Sequence, residues 1–183
     1  MPLTVAPTLT TARLVLRGPE KRDLAPFTRW VTTSDRLGHL GGRGTAQDAW
    51  RGFLGGIGHW QWHGYGLFIL EPKDGGEAIG RVGILNHEGW PEPELAWHLF
   101  DGAEGQGFAY EAAVAVRRWA GEALGLGPLI SMIAPDNTRS AALARRLGAT
   151  PERDHDHEGK PAVIWRHLRH DAPEARAQAE ALA

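Results

Sequence analysis

Residues 94–124 read as a strand, a glycine-rich loop and a long helix, and no other stretch narrows the fold as much. Glu94-Leu-Ala-Trp-His-Leu-Phe100 has the length and composition of a strand. Asp101 to Gly107 is loop, and from Phe108 to Leu124 the residues Phe108, Ala112, Val116, Trp119, Ala120 and Ala123 recur at helical spacing. Glu111, Arg118 and Glu122 are expected on the opposite side of that helix, and Gly125-Leu-Gly-Pro128 stops it. A helix's first turn carries N–H groups with no intrahelical partner, and its macrodipole adds about half a positive charge there. Glu104-Gly-Gln-Gly-Phe-Ala109 brings glycines to that point, so a phosphate can reach the amides. Glycines that merely make a tight turn would read the same way. Two familiar phosphate loops are excluded: no Gly-Lys-Ser/Thr is present, and Tyr110 stands where the dinucleotide fingerprint needs its third glycine.

The flanking chain supplies the rest of a mixed sheet. Ala12 to Arg17 reads as a strand with Leu14 and Leu16 on one face. Asp23 is placed to cap a short helix carrying Leu24, Phe27, Trp30 and Val31. Ser34 to Gly44 is loop. Thr45 starts a second helix with Ala46, Trp50, Phe53, Leu54 and Ile57 on one face, weakened at its end by Gly55, Gly56 and Gly58. Tyr65–Leu70 and Glu77–Leu85 form a hairpin about Pro72-Lys-Asp-Gly-Gly76. Leu129 to Ala134 reads as a buried strand. A helix opens at Pro135-Asp-Asn137 with Ser140, Leu143, Ala144 and Leu147 on one face, and Gly148 stops it. Ala162 to Leu168 is the last strand. The sum is an α/β chain, a mixed sheet with helices on its faces. We expect one domain over residues 1–170 and a short tail, 171–183, that is a frayed helix or disordered.

Composition removes several functions. With 183 residues, a net charge of −2 and pI near 6.5, no single-sign field exists to hold nucleic acid or an anionic membrane. There is no cysteine, hence no disulfide, thiolate nucleophile or cysteine-ligated zinc. Met1-Pro-Leu-Thr-Val-Ala-Pro7 lacks the basic start and apolar run of a signal peptide, so the expected location is the cytoplasm. Eight tryptophans leave a homodimer open if they are exposed.

The glycine loop resembles the phosphate motif of the GNAT superfamily of N-acetyltransferases: Gln or Arg, two residues, Gly, one residue, then Gly or Ala. Glu104-Gly-Gln-Gly-Phe-Ala109 fits it, with Glu104 at the Gln/Arg position. The resemblance is strongest to the branch that acetylates ribosomal-protein N-termini. Thr11-Ala-Arg-Leu-Val-Leu-Arg17 is similar to that branch's opening strand, and Glu77-Ala-Ile-Gly-Arg-Val-Gly83 to its third strand. Tyr110-Glu-Ala112 continues the loop as the branch does. Asn137-Thr-Arg-Ser140 with Leu147-Gly-Ala149 resembles its Asn-x-x-Ser…Leu-Gly-Phe segment, Ala149 replacing Phe. Together these cover most of Thr11 to Ala149 in order.

The resemblance implies a mostly antiparallel sheet of six to seven strands, splayed between the fourth and fifth. Acetyl-CoA would lie in the gap as co-substrate. Its pantetheine would pair with backbone at Trp97, His98 and Leu99, and its pyrophosphate would sit on amides of Gly105, Gln106, Gly107, Phe108, Ala109 and Tyr110. Asn137 and Ser140 would reach the pantetheine or thiol. The acceptor, a small-molecule amine or protein N-terminus, would attack the thioester directly.

The acid and base are open at this stage. Glu94 opens the splayed strand and is the candidate base; a solvated carboxylate beside two prolines would look the same. His98 shares the face of Glu94 and Ala96 on an alternating strand, as a helper or a structural residue. The tyrosine that many members carry seven residues after the Asn is Ala144 here, leaving Ser140 or water to protonate the thiolate. A CoA-binding module without catalysis therefore stays as the alternative. Asp154-His-Asp-His-Glu158 has two histidines two apart, which would suit a metal; a polar turn before the last strand is the reading adopted, and no metal is expected. His59, Trp60, Trp62 and His63 either shape an acceptor site or pack as core or contact residues.

Overall fold

A computed structural model describes residues 6–157 and 159–182. Residues 1–5, Glu158 and Ala183 lie outside the described residues, and with them most of the N-terminal stretch read for a signal peptide and one end of the histidine cluster.

The chain runs β1 (Leu9–Thr10), β2 (Leu14–Arg17), α1 (Leu24–Thr33), α2 (Ala46–His63), β3 (Leu67–Pro72), β4 (Gly80–Leu85), β5 (Glu94–Leu99), α3 (Phe108–Leu124), β6 (Ile130–Ile133), α4 (Thr138–Arg146), β7 (Thr150–His157), β8 (Lys160–Arg166) and α5 (Pro173–Glu180). The strands form one eight-stranded sheet in the order β1-β2-β3-β4-β5-β6-β8-β7. The sheet has one strand more than the six to seven that the resemblance implies, and two strands exceed the six read from the sequence. One is the two-residue β1. The other is β7, which replaces the polar turn expected at 154–158: it pairs antiparallel with β8 at the sheet's edge, largely exposed on both faces. Glu158 falls outside the described residues.

Alternation sorts the sheet into two faces. Leu14, Leu16, Phe68, Leu70, Val82, Ile84 and Leu95 turn to α3, where they meet Ala112, Val116 and Ala120. Ile69, Ala78 and Phe100 turn to Phe27 and Trp30 of α1 and Phe53 of α2. The glycines in Gly80-Arg-Val-Gly83 have a packing reason. A Cβ on Gly83 would lie 2.0 Å from the Gly66 carbonyl oxygen and one on Gly80 2.4 Å from that of His98, so no side chain fits either place.

Several local expectations change in three dimensions. Asp23 does not cap α1. Its carboxylate takes a two-pronged bond from Arg17, 2.8 Å on each arm, and is buried there. Helix α2 does begin at Thr45, which forms a reciprocal capping box with Asp48, but it continues through its glycines to His63. Of its expected apolar face, Phe53 is buried, whereas Trp50, Leu54 and Ile57 are 40–50% exposed. Glu111 is 1% exposed, so it is not on a solvated side of α3. The tail forms α5, whose Gln178 accepts from buried Arg117 and donates to the Arg146 carbonyl. Among the described residues no helix is long and apolar enough to cross a membrane.

The sheet forks between β5 and β6, the fourth and fifth of the strands read from the sequence. Among the described residues these two are the only parallel neighbours, and they share a single register pair, Glu94 with Ile130. On its other side β5 pairs with β4 over six positions, and β6 pairs with β8 over four. Beyond Glu94, then, each strand keeps its outer partner and loses its inner one.

Candidate active site

The fork opens into a cavity of about 490 Å³. Its lining includes β5 from Glu94 to Leu99, β6 from Ser131 onward, the loop glycines Gly105 and Gly107, and Ala109, Tyr110, Asn137 and Ser140. Of the residues expected to hold the co-substrate, Gln106 and Phe108 do not line it. The Gln106 carbonyl accepts from Arg13 at 2.9 Å, and the Arg13 guanidinium lies 4.6 Å over the Phe108 ring.

At the loop end, Gly102, Gly105 and Gly107 all have positive φ (90°, 74° and 82°), conformations that side-chain-bearing residues rarely adopt. Gly107 is the N-cap of α3 and supplies no side-chain cap, so the first-turn amides stay available. The loop is pinned from below by Glu111. Its carboxylate accepts from the Thr11 hydroxyl (2.5 Å), the Arg13 backbone N–H (2.8 Å) and the Arg13 guanidinium (2.7 Å). Burial alone would raise this carboxyl's pKa; the three bonds bring it below the usual value. Sequence reading met Thr11 and Arg13 only inside a motif and gave them no role. They tie the β1–β2 turn to the loop and to α3.

At the fork end, Glu94 is 9% exposed, and Oε1 accepts one bond, from the Met132 backbone N–H at 2.9 Å. It is thus not the solvated carboxylate weighed above. Burial pushes its pKa up to about 8, with the Met132 bond opposing. Ser131 donates to the Leu95 carbonyl (2.6 Å) and His167 Nε2 donates to Ser131 (2.9 Å), so side chains, not a ladder, close the fork. Burial lowers the His167 pKa to about 3, which keeps that ring neutral.

His98, on the Glu94 face, accepts at Nδ1 from Arg81 Nε (3.1 Å). Burial and the Arg81 charge push its pKa well below the usual imidazole value. Across the fork, Trp97 Nε1 donates to Ser140 Oγ at 3.3 Å, leaving the serine's own proton free to be given away. Asn137 caps α4 by accepting from the Ser140 N–H at 3.2 Å. Position 144 is a fully buried alanine and offers no acid.

The 34–44 loop roofs the cleft. Arg36 pairs with Glu104, Ser34 donates to Asp101 at 2.6 Å, and His39 Nδ1 lies 3.5 Å from Asp136. Trp30, Arg36, His39 and Leu40 line the cavity along with Arg139 and Arg146. The second aromatic group proposed from the sequence does not reach it. His59 is buried between the Tyr65 carbonyl and the Asn86 N–H, Trp60 is buried with its Nε1 donating to the Leu67 carbonyl of β3 at 3.0 Å, and Trp62 is 81% exposed. His155 and His157 share a face of β7, rings 6.2 Å apart; among the described residues no group of three or more metal-ligating side chains forms.

Known proteins share this fold. A family model described as an acetyltransferase (GNAT) domain matches residues 13–150. An acetyltransferase from Agrobacterium tumefaciens strain C58 superposes with a TM-score of 0.80 at 36% identity, covering 88% of this chain and 95% of that one. A GnaT-family acetyltransferase from Bordetella pertussis gives 0.74 at 26% identity, covering 88% and 99%. Mycobacterium smegmatis RimJ, solved in complex with CoA-disulfide, gives 0.71 at 18% identity, covering 95% and 93%, and shares the fold. The match spans the forked sheet, the glycine loop and the Asn137 helix together, and the chain belongs to the GNAT acetyltransferase family.

Proposed function

We propose that this protein transfers an acetyl group from acetyl-CoA to a primary amine, by direct attack within the β5–β6 fork. One observation carries the reading: a single cavity joins the uncapped N-terminus of α3 to a buried carboxylate at the closed end of the fork. The acting unit is taken as one domain, residues 1–170, with 171–183 as an appended tail.

The amides from Gly105 to Tyr110 would hold the pyrophosphate, and the inner edge of β5 at Trp97 to Leu99 would pair with the pantetheine. Asn137 and Ser140 would flank its sulfur end. RimJ's complex with CoA-disulfide supports a CoA site in this fold. Glu94 is the base. With a pKa of about 8, roughly a tenth of it is ionised at pH 7, and it is matched to accept a proton from an ammonium near neutrality. The nitrogen then attacks the thioester carbon; the carbon–sulfur bond breaks and the thiolate leaves with the electron pair. Ser140 can give that thiolate its proton, taking another from solvent. A backbone N–H on the unpaired edge of β5 would hold the developing oxyanion.

Calorimetric titration with acetyl-CoA tests the site. The native protein should bind at micromolar concentrations, and Gly107→Glu should abolish binding, since the phosphate's place then holds a carboxylate on a strained backbone. Equal affinity in that variant would refute the assignment of the loop. Binding without amine-dependent CoA release on any amine would make the protein a CoA-binding module instead.

A further inference from the structure

Arg81 is a partly buried cation without a counter-ion among the described residues. It projects from β4 toward α1, its guanidinium 4.5 Å over the Phe27 ring and 5.9 Å from that of Trp30. Its one hydrogen bond goes to His98 Nδ1, and it joins no ion pair among the described residues. Burial lowers its pKa to about 10, and no acidic group brings it back up. Two other arginines differ: Arg17 holds Asp23 and Glu71, and Arg166 holds Glu92 and Glu152. Buried Arg117 also lacks an ion pair among the described residues, but it donates to the Leu147 carbonyl and to Gln178 rather than to a residue of the cavity wall. Removing a cation from water without an anion is strongly unfavourable.

Two further donors converge on the same spot. The neutral His98 ring accepts at Nδ1, so its proton is on Nε2, and the residue lines the cavity. Trp30 also lines the cavity; it is 6% exposed and its Nε1–H has no partner. This wall therefore offers N–H groups and positive charge, and among the described residues no carboxylate pairs with them. Glu94, the acidic group on the same face of β5, is four residues away, roughly 13 Å by strand rise.

We infer that the acceptor is an amine that also carries a carboxylate, bound by Trp30 Nε1–H and His98 Nε2–H with Arg81 behind His98 as its counter-charge, while its amine is directed toward Glu94. This rests on the acetyl-transfer reading and adds the substrate class to it. A free ω-amino acid and a peptide opening on an acidic residue share this chemistry, a carboxylate set apart from the amine. Arg81 acts through His98 as a positioning residue: it fixes the tautomer that donates and sets the sign of the site.

The test compares kcat/KM for matched acceptors with acetyl-CoA saturating: 4-aminobutyrate against butylamine, 6-aminohexanoate against hexylamine, and a tetrapeptide beginning with Asp against one beginning with Asn. A carboxylate preference of about 10- to 100-fold is expected, the worth of hydrogen bonds to a charged group. Preference within the ω-amino acid pairs assigns a small-molecule acceptor, and preference within the peptide pair alone assigns a polypeptide one. The preference should fall close to one in Arg81→Met and be partly retained in Arg81→Lys. A general structural defect would slow both members of a pair and leave their ratio in place. If Arg81→Met does not fold, Trp30→Phe, which keeps a ring and loses the N–H, should still lower the ratio. No preference in the native enzyme, or a preference unchanged in these variants, overturns the inference and leaves acetyl transfer standing. No turnover on any amine overturns both.

Discussion

The loop end and the fork end of the cleft are each built on a buried glutamate. At the loop, Glu111 has a hydroxyl, a backbone N–H and a guanidinium on its carboxylate. At the fork, Glu94 has one backbone N–H. The outcomes are opposite, because bonds to the charged form outweigh burial in the first and not in the second. Glu111 stays ionised and holds three segments together, whereas Glu94 stays mostly protonated and can take up or release a proton near neutral pH. Depth of burial does not separate a carboxylate held ionised from a carboxyl held neutral here; the donors around it do.

Three substitutions sharpen that contrast. Glu111→Ala has the largest expected effect on stability, about 2–4 kcal/mol in urea unfolding, since it strips Thr11 and Arg13 of their shared acceptor. Arg13 is half exposed, which holds the figure below that of a fully buried pair. The same change should weaken acetyl-CoA binding by releasing the loop. Glu94→Gln should do the reverse and stabilise the protein in alkali. A carboxyl whose folded pKa is raised contributes stability that is complete below its unfolded value near 4.5 and is lost as pH rises through about 8. Gln keeps the acceptor for Met132 without that loss, so the variant should match the native protein at pH 4 and exceed it by about 1–3 kcal/mol at pH 9. Equal pH dependence of the two melting curves would remove the distinction between the glutamates. Thr11→Val is the smallest, about 1 kcal/mol, with one of several donors to Glu111 gone.

Sequence alone carried the local half of this account. The strand, glycine loop and helix from Glu94 to Leu124 were legible because periodicity and glycine placement are read within a few residues, and the ordered motifs extended them to a forked sheet. What failed was set at long range. Strand β7 has exposed polar residues on both faces, so it lacks apolar alternation and exists through its pairing with β8. Glu111 follows helical spacing onto a polar side, and its burial depends on Thr11 and Arg13, about a hundred residues earlier. The surroundings of Glu94 come from Met132, across a fork that no local pattern describes. Arg81 left one trace: it is a lone charge within the apolar run Ala78 to Leu85.

The most direct test is kcat for amine-dependent CoA release, measured from pH 6 to 10 with both substrates saturating, in the native protein and in Glu94→Gln. Glu94 acting as the base predicts a rate that climbs to a plateau with an apparent pKa near 8, and a variant about 10²- to 10⁴-fold slower in which that limb is missing. The same limb in both proteins at comparable rates would contradict it.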